Sequence, residues 1–183
     1  MADLQTALDK TLRFEGGYAN VPGDTGGETY CGVARVHWPK SSIWPIIDRY
    51  KKTNTLKRGA FITGPEGDKL KPLIADFYRI QFWDDIRGND IKSQPVANYL
   101  FDWHVTSGAI AIRQVQDILG VDVDGRVGNQ TLTAINATDP HKLFDQMVAN
   151  RVQRAKDRAA LNPSQQKFLK GWLNRFEGFA FEG

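Results

Sequence analysis

One cysteine, two methionines and three histidines are all that 183 residues hold of those types, and each scarcity removes a class of chemistry. The lone thiol, Cys31, cannot close an internal disulfide, so the fold owes nothing to an oxidising compartment. No base flanks it in sequence, which makes a small, buried or half-buried residue the expected role rather than a nucleophile. His37, His104 and His141 form no cluster with zinc-site spacing, and neither a metal nor an organic cofactor is expected. There is no internal repeat and no glycine-rich phosphate loop. No apolar run is long enough to span a bilayer, and the segment from Met1 to Gln5 has neither a basic n-region nor an apolar h-region. A protein made in the cytoplasm, without stable membrane insertion, is expected.

What is present describes a folded chain. Hydrophobic residues at 41% and charged residues at 25% exclude disorder on a large scale, and the length suits one domain or two small ones sharing a core. The formal net charge of +3 is unevenly placed: between residues 142 and 175 eight basic residues stand against Asp145 and Asp157. Such a stripe would be drawn to anionic envelope polymers or, in a competing reading, to nucleic acid. It equally suits a solvated helix surface, because the bases interleave with apolar positions. Without interleaved stacking aromatics, nucleic acid is the weakest of these partners and is not expected.

The chemistry concentrates near the N-terminus. Asp3 is a plausible N-cap, and Leu4, Leu8 and Leu12 recur at helical spacing, which predicts a helix over residues 4–15 with Glu15 on its inward stripe. Gly16 and Gly17 stop it. A carboxyl that is partly desolvated, at the negative end of a helix dipole, is favoured in its protonated form. Asp24 has a different setting, among Pro22, Gly23, Thr25, Gly26 and Gly27, where backbone amides and water favour the ionised form. Two carboxyls in contrasting environments divide into an acid and a base or charge stabiliser, the division of labour of glycoside hydrolysis. Taken singly, each has a structural alternative, as an exposed last-turn residue and as a turn-former. A glutamate on the apolar face of a C-terminal turn nevertheless asks for a functional reason.

Glu15-Gly16-Gly17-Tyr18, then Asp24, Gly26-Gly27, Thr29 and Gly32, resemble the N-terminal signature of glycoside hydrolase family 108, bacterial and phage N-acetylmuramidases. The resemblance continues through Phe77-Tyr78, Phe82-Trp83-Asp84, Phe101-Asp102, Asp124-Gly125-Arg126-Val127-Gly128 and Gly171-Trp172-Leu173-Asn174-Arg175, nearly the whole chain. It implies a mainly α, lysozyme-like helical fold with a short irregular or β-like loop after the first helix. It implies a peptidoglycan hydrolase, cleaving the β-1,4 bond between N-acetylmuramic acid and N-acetylglucosamine. Glu15 would be the catalytic acid, with Asp24 and Thr29 holding the attacking water as in phage-type lysozymes. The Asp-to-Thr interval is one residue longer there, and Tyr30 occupies the register a strict count selects. Tyr18, Tyr30, Asp102 and His104 are the expected substrate-binding residues. A lytic transglycosylase, or a wall-binding protein without activity, are the rival readings. The resemblance also implies an endolysin-like monomer that acts on the cell wall after delivery from the host cytoplasm by a holin-like pore or an export system.

Further along, two Trp-Pro pairs, at Trp38 and Trp44, should break regular structure, with the rings in the core or, less often, against a sugar. Residues 51–67 read as an exposed loop with a short extended piece near Phe61. A core helix is expected from Lys69 to Trp83, with Pro72 in its first turn, and others over 94–106, 109–119 and 141–160, with a last one carrying Phe168 to Phe176. The Asp-x-Asp-Gly run at Asp122 to Gly125 places Thr133 where a calcium loop needs glutamate, so it reads as a turn. Arg151 falls in the apolar stripe of its helix and calls for a carboxylate partner, Asp102 or Asp84. The expected organisation is a muramidase region over 1–92 and a peptidoglycan-binding-like region over 93–177, co-folded as one compact unit.

Overall fold

The computed structural model describes residues 1–20 and 27–182. They form α1 (Leu4–Glu15), a small antiparallel sheet of β1 (Tyr18–Ala19), β2 (Thr29–Tyr30) and β3 (Val33–Ala34), then α2 (Ile43–Lys51), α3 (Gly64–Tyr78), α4 (Gln94–Ser107), α5 (Ala109–Leu119), α6 (Asn129–Ala137), α7 (Pro140–Leu161) and α8 (Gln166–Glu177). This is the mainly helical fold with a short β element after the first helix that the sequence implies.

The contacts divide the chain into two units, Thr11–Arg79 and a discontinuous one made of Met1–Lys10 with Ile80–Gly183. The division expected between residues 92 and 93 lies inside the second unit. Backbone bonds explain the placement: Ala2 N–H donates to Ile91 O at 2.8 Å and Asp3 N–H to Gln94 Oε1 at 2.6 Å, so the first residues belong with the α4 entrance.

In α1, Asp3 caps as expected, its carboxylate accepting from Thr6 N–H at 2.7 Å. The buried stripe is Ala7, Leu8 and Thr11, flanked by half-buried Leu4, Leu12 and Glu15. In the Thr11–Arg79 unit, α2 and α3 pack through Ile43, Trp44 and Ile47 on one side and Leu70, Ile74 and Tyr78 on the other. Pro45 does not break structure as the Trp-Pro pattern suggests, because it falls in the first turn of α2, where its missing N–H is not needed. Trp44 is core, with its indole N–H on Trp38 O at 2.7 Å, whereas Trp38 is 38% exposed and meets Phe77 edge-on.

Residues 51–67 are more ordered than their composition predicts. Gly59 N–H donates to Tyr18 O at 2.7 Å and Tyr18 N–H to Ala60 O at 2.9 Å, so this stretch is laced along β1. Its end already belongs to α3, which starts at Gly64 with Pro65 in the first turn. Pro72 therefore sits inside the helix rather than in its first turn, and removes one backbone donor there. Arg79–Trp83 continues it as a π-helical turn ending on the fully buried Trp83, whose indole donates to Asn89 Oδ1 at 2.9 Å.

In the larger unit α4 is buried nearly all round, through Tyr99, Leu100, Phe101 and Trp103, and α7 covers it with Leu143, Phe144 and Met147. Asp102 is wholly buried beneath α7 and α8, paired with Arg151 Nη2 at 2.9 Å and Arg175 Nη2 at 2.7 Å. The arginine in the apolar stripe thus has one of its two expected partners. The Asp122 to Gly125 turn is tied from inside by Gln116, whose amide donates to Asp124 Oδ1 at 2.7 Å and accepts from Gly125 N–H at 2.8 Å. With Arg126 N–H these bonds hold the Asp124 carboxyl below the usual carboxylate range.

Candidate active site

Glu15 is the last residue of α1, and Gly16, at φ +69°, turns the chain out of the helix. Gly17 lies directly against the Ala60 carbonyl, a separation no side chain could share. This brings the chain into β1 three residues past the acid. The sheet is in register as Tyr18 opposite Tyr30, Ala19 opposite Thr29, and Tyr30 opposite Val33. Only Cys31 and Gly32 remain to connect β2 to β3, and both have positive φ, +47° and +77°, which is the two-residue type I′ hairpin.

That hairpin tip is the surface on which the acid rests. A Cβ added to Gly32 would stand 2.8 Å from Glu15 Oε2 and would collide with the Tyr78 hydroxyl, so the carboxyl and the hydroxyl meet the same side of the turn. Tyr78 Oη donates to Cys31 O at 2.9 Å, fixing the hairpin to α3. Tyr78 reads in sequence only as a core aromatic; the signal for more is that a buried tyrosine needs a partner for its hydroxyl. Cys31 is 4% exposed, and burial, followed by the nearby negative charge of Glu15, pushes its thiol up to about 12. In the folded protein Cys31 is therefore expected not to react with iodoacetamide at pH 7.5, and to react fully once unfolded in guanidinium; mass spectrometry of the alkylated chain checks both.

The other sequence-derived site residues have distinct settings. Thr29 is half-buried between Ala19 and Ala34. Its neighbour Tyr30 points to the opposite face, is 2% exposed, and its hydroxyl accepts from Ile62 N–H at 3.0 Å. Tyr18 is also buried and donates to Glu28 Oε1 at 2.9 Å. Glu28 is the second residue the sequence does not single out: Lys51 at 2.6 Å and Arg35 at 2.8 Å converge on it, and Arg35 forks onto Asp48. This network ties the sheet to α2. Asp24 lies outside the described residues.

Asp102 and His104 belong to the larger unit and are both buried. Both oxygens of Asp102 are engaged by two guanidinium groups, which gives it the setting of a structural ion cluster rather than of an open sugar-binding carboxylate. His104 is 4% exposed, with Nε2 3.3 Å from Asp85 Oδ2 and its ring edge-on to Phe82. Among the described residues no group of histidine, cysteine, aspartate and glutamate side chains could hold a metal ion.

A half-buried glutamate thus closes the first helix of a mainly helical, lysozyme-like chain and is set against the tip of a small antiparallel hairpin. Residues 8–108 match the family model for glycosyl hydrolase 108, and the chain belongs to that family of muramidases. Residues 110–177 match the model of a predicted peptidoglycan domain, so the enzyme is a peptidoglycan hydrolase. A solved structure, that of Brucella abortus SagA, matches at a TM-score of 0.62 and 22% identity over 98% of this chain and 97% of that one, a likeness of fold. No curated protein matches.

Gly32→Ala tests the packing of the acid directly. The left-handed φ and the collision with the Tyr78 hydroxyl and the Glu15 carboxyl act together. The variant is expected to lose about 1–3 kcal/mol of stability in urea unfolding. Its turnover at a temperature where it is fully folded should fall more than tenfold, because the carboxyl is displaced. Unchanged turnover would separate Gly32 from the site.

Proposed function

We propose that Glu15 is the general acid that protonates the leaving-group oxygen of the β-1,4 bond between N-acetylmuramic acid and N-acetylglucosamine. The observation that carries this reading is its placement: a half-buried carboxyl at a helix C-terminus, resting on the Gly32 turn beside the Tyr78 hydroxyl. As the glycosidic bond breaks, positive charge grows on the muramic acid ring. Asp24 stabilises that charge and, with Thr29, orients the water that completes hydrolysis. Thr29 suits this role better than Tyr30, whose hydroxyl is already engaged by the Ile62 amide. Tyr78 positions the hairpin tip, and through it the acid. Tyr18 holds the Glu28 network beneath the sheet, so its contribution to substrate binding runs through that network.

The enzyme acts as a monomer on the cell wall, in the manner of a phage endolysin or a secretion-associated muramidase. It reaches the wall from the host cytoplasm through a holin-like pore or an export system, and host lysis is the outcome in the phage setting. This placement rests on the family resemblance. No helix among the described residues is long and apolar enough to cross a membrane.

Mass spectrometry of muropeptides released from purified sacculi tests the chemistry. Reducing N-acetylmuramic acid ends are expected. Ends closed as 1,6-anhydro sugars would identify a lytic transglycosylase, which needs the acid but no water-holding partner, and would remove Asp24 and Thr29 from the mechanism.

A further inference from the structure

The larger unit carries a second site, a cavity of about 190 Å³ among α4, α5, α7 and α8. One wall is a single face of α7, where Arg151, Arg154 and Arg158 follow at intervals of three and four residues. No aspartate or glutamate lines it. Arg154 and Arg158 are exposed, and no carboxylate of the described residues pairs with either. Behind them lies the buried cluster in which Arg151 and Arg175 both pair with Asp102. Nη1 of Arg151 is also buried without a hydrogen-bond partner among the described residues. A recess with three guanidinium groups in its wall, no carboxylate in its lining and a buried guanidinium nitrogen left unsatisfied is built to receive an anion.

The rest of the lining narrows the class of anion. Trp172 is half-buried with the Arg158 guanidinium 5.2 Å above its ring, and Ile110, 48% exposed, lies at the rim. An inorganic ion would leave these apolar surfaces uncovered, whereas a carboxylate carrying a small alkyl group covers them. Ordinary small-molecule pockets run from about 300 to 1,000 Å³, so this one has room for a terminal residue rather than for a disaccharide.

We propose that this cavity binds the C-terminal carboxylate of a peptidoglycan stem peptide, with Arg154 and Arg158 on the carboxylate oxygens and the terminal alanine methyl against Trp172. The proposal rests on the peptidoglycan hydrolase reading. The C-terminal half would then hold the enzyme at uncapped stem peptides while the glycan is cut elsewhere.

The test uses the full chain as Glu15→Gln and a synthetic stem tetrapeptide ending in D-alanine. The tetrapeptide contains no glycosidic bond, so binding is read apart from hydrolysis, which is followed separately on sacculi with the wild type. Calorimetric titration and the indole N–H signals of Trp103 and Trp172 report occupancy. The free-acid peptide is expected to bind and to shift both signals. Its C-terminal amide, and the Arg154→Gln/Arg158→Gln variant, should each weaken binding at least about tenfold, the loss expected when a charge-assisted hydrogen bond is removed. Arg158→Lys should retain part of the affinity. Equal binding of the amide, or shifts confined to residues outside the cavity, would overturn the site. If peptide-free N-acetylglucosaminyl-N-acetylmuramic acid bound as well as the tetrapeptide, the lactyl carboxylate rather than the stem end would be the ligand, and the proposal would fail. Saturation by phosphate at equal affinity would reduce the cavity to a simple anion site and also reject it. Failure of sacculus digestion, by contrast, would speak only against the hydrolase reading.

Discussion

Glu15→Gln is expected to lower the turnover of sacculi by about 10²–10⁴-fold while leaving the melting temperature within a degree or two of the wild type. At about 1.36 kcal/mol per tenfold, that is a loss of about 3–5 kcal/mol of transition-state stabilisation. The amide has the shape of the carboxyl and can still rest against the Gly32 turn, but it has no proton to give. What disappears is the transfer to the leaving oxygen, not the packing. A substrate whose leaving group departs without protonation, such as an activated aryl glycoside, should therefore lose far less than the natural polymer. This contrast separates chemistry from architecture: a structural Glu15 would lose stability on substitution and affect both substrates alike. Equal losses on both, or turnover unchanged on either, would remove Glu15 from the acid's role.

How much of this was legible beforehand depends on how local each cause is. Helix α1 and its acid could be read because a leucine period, an N-capping aspartate and a double glycine all lie close together at the start of the chain. The hairpin was less legible. Two-residue type I′ turns are signalled by Asn-Gly or Asp-Gly, and here the first position is Cys31, a residue with no preference for positive φ. Its conformation is set from outside, by Tyr78 on its carbonyl and the Gly17 carbonyl on its amide. The 51–67 stretch departs from its sequence pattern for a related reason. Its polar, aperiodic composition reads as a free loop, but its order comes from β1, far earlier in the chain. Pro72 lies inside α3 rather than in its first turn because the helix starts ahead of it at Gly64, where two glycines and a proline, Gly64, Pro65 and Gly67, read in sequence as a turn. The roles of Glu28 and Tyr78 are not legible locally, since each acquires its role from a partner far off in sequence, Lys51 for one and Cys31 for the other. Arg151 was the reverse case. A cation in an apolar stripe states its own need, and Asp102 answers it from α4.

Asp102→Ala is expected to cost about 3–5 kcal/mol, the largest stability loss of any single change considered, because it removes the buried carboxylate that two guanidinium groups bond and leaves a void in its place. Arg151 suffers most. It is 3% exposed, lies between the rings of Tyr99, Trp103 and Phe176, and cannot swing to water, whereas Arg175 is nearer the surface and can. For a chain of this size each kcal/mol moves the melting temperature by about 2–4 °C, so calorimetry should show a fall of about 6–20 °C. The ring contacts of Arg151 give some compensation through cation–π attraction, worth about 2 kcal/mol or more when desolvated, which argues for the lower half of that range. Arg151→Met together with Asp102→Leu removes both buried charges and replaces them with apolar volume. That double variant should be more stable than Asp102→Ala alone, even though it changes two core positions, since the remaining Arg175 can take up water. If instead the double variant were the weaker of the two, the ion cluster would be contributing net attraction beyond its own desolvation, and the accounting of a buried pair as costly to break but cheap to replace would not hold for this core.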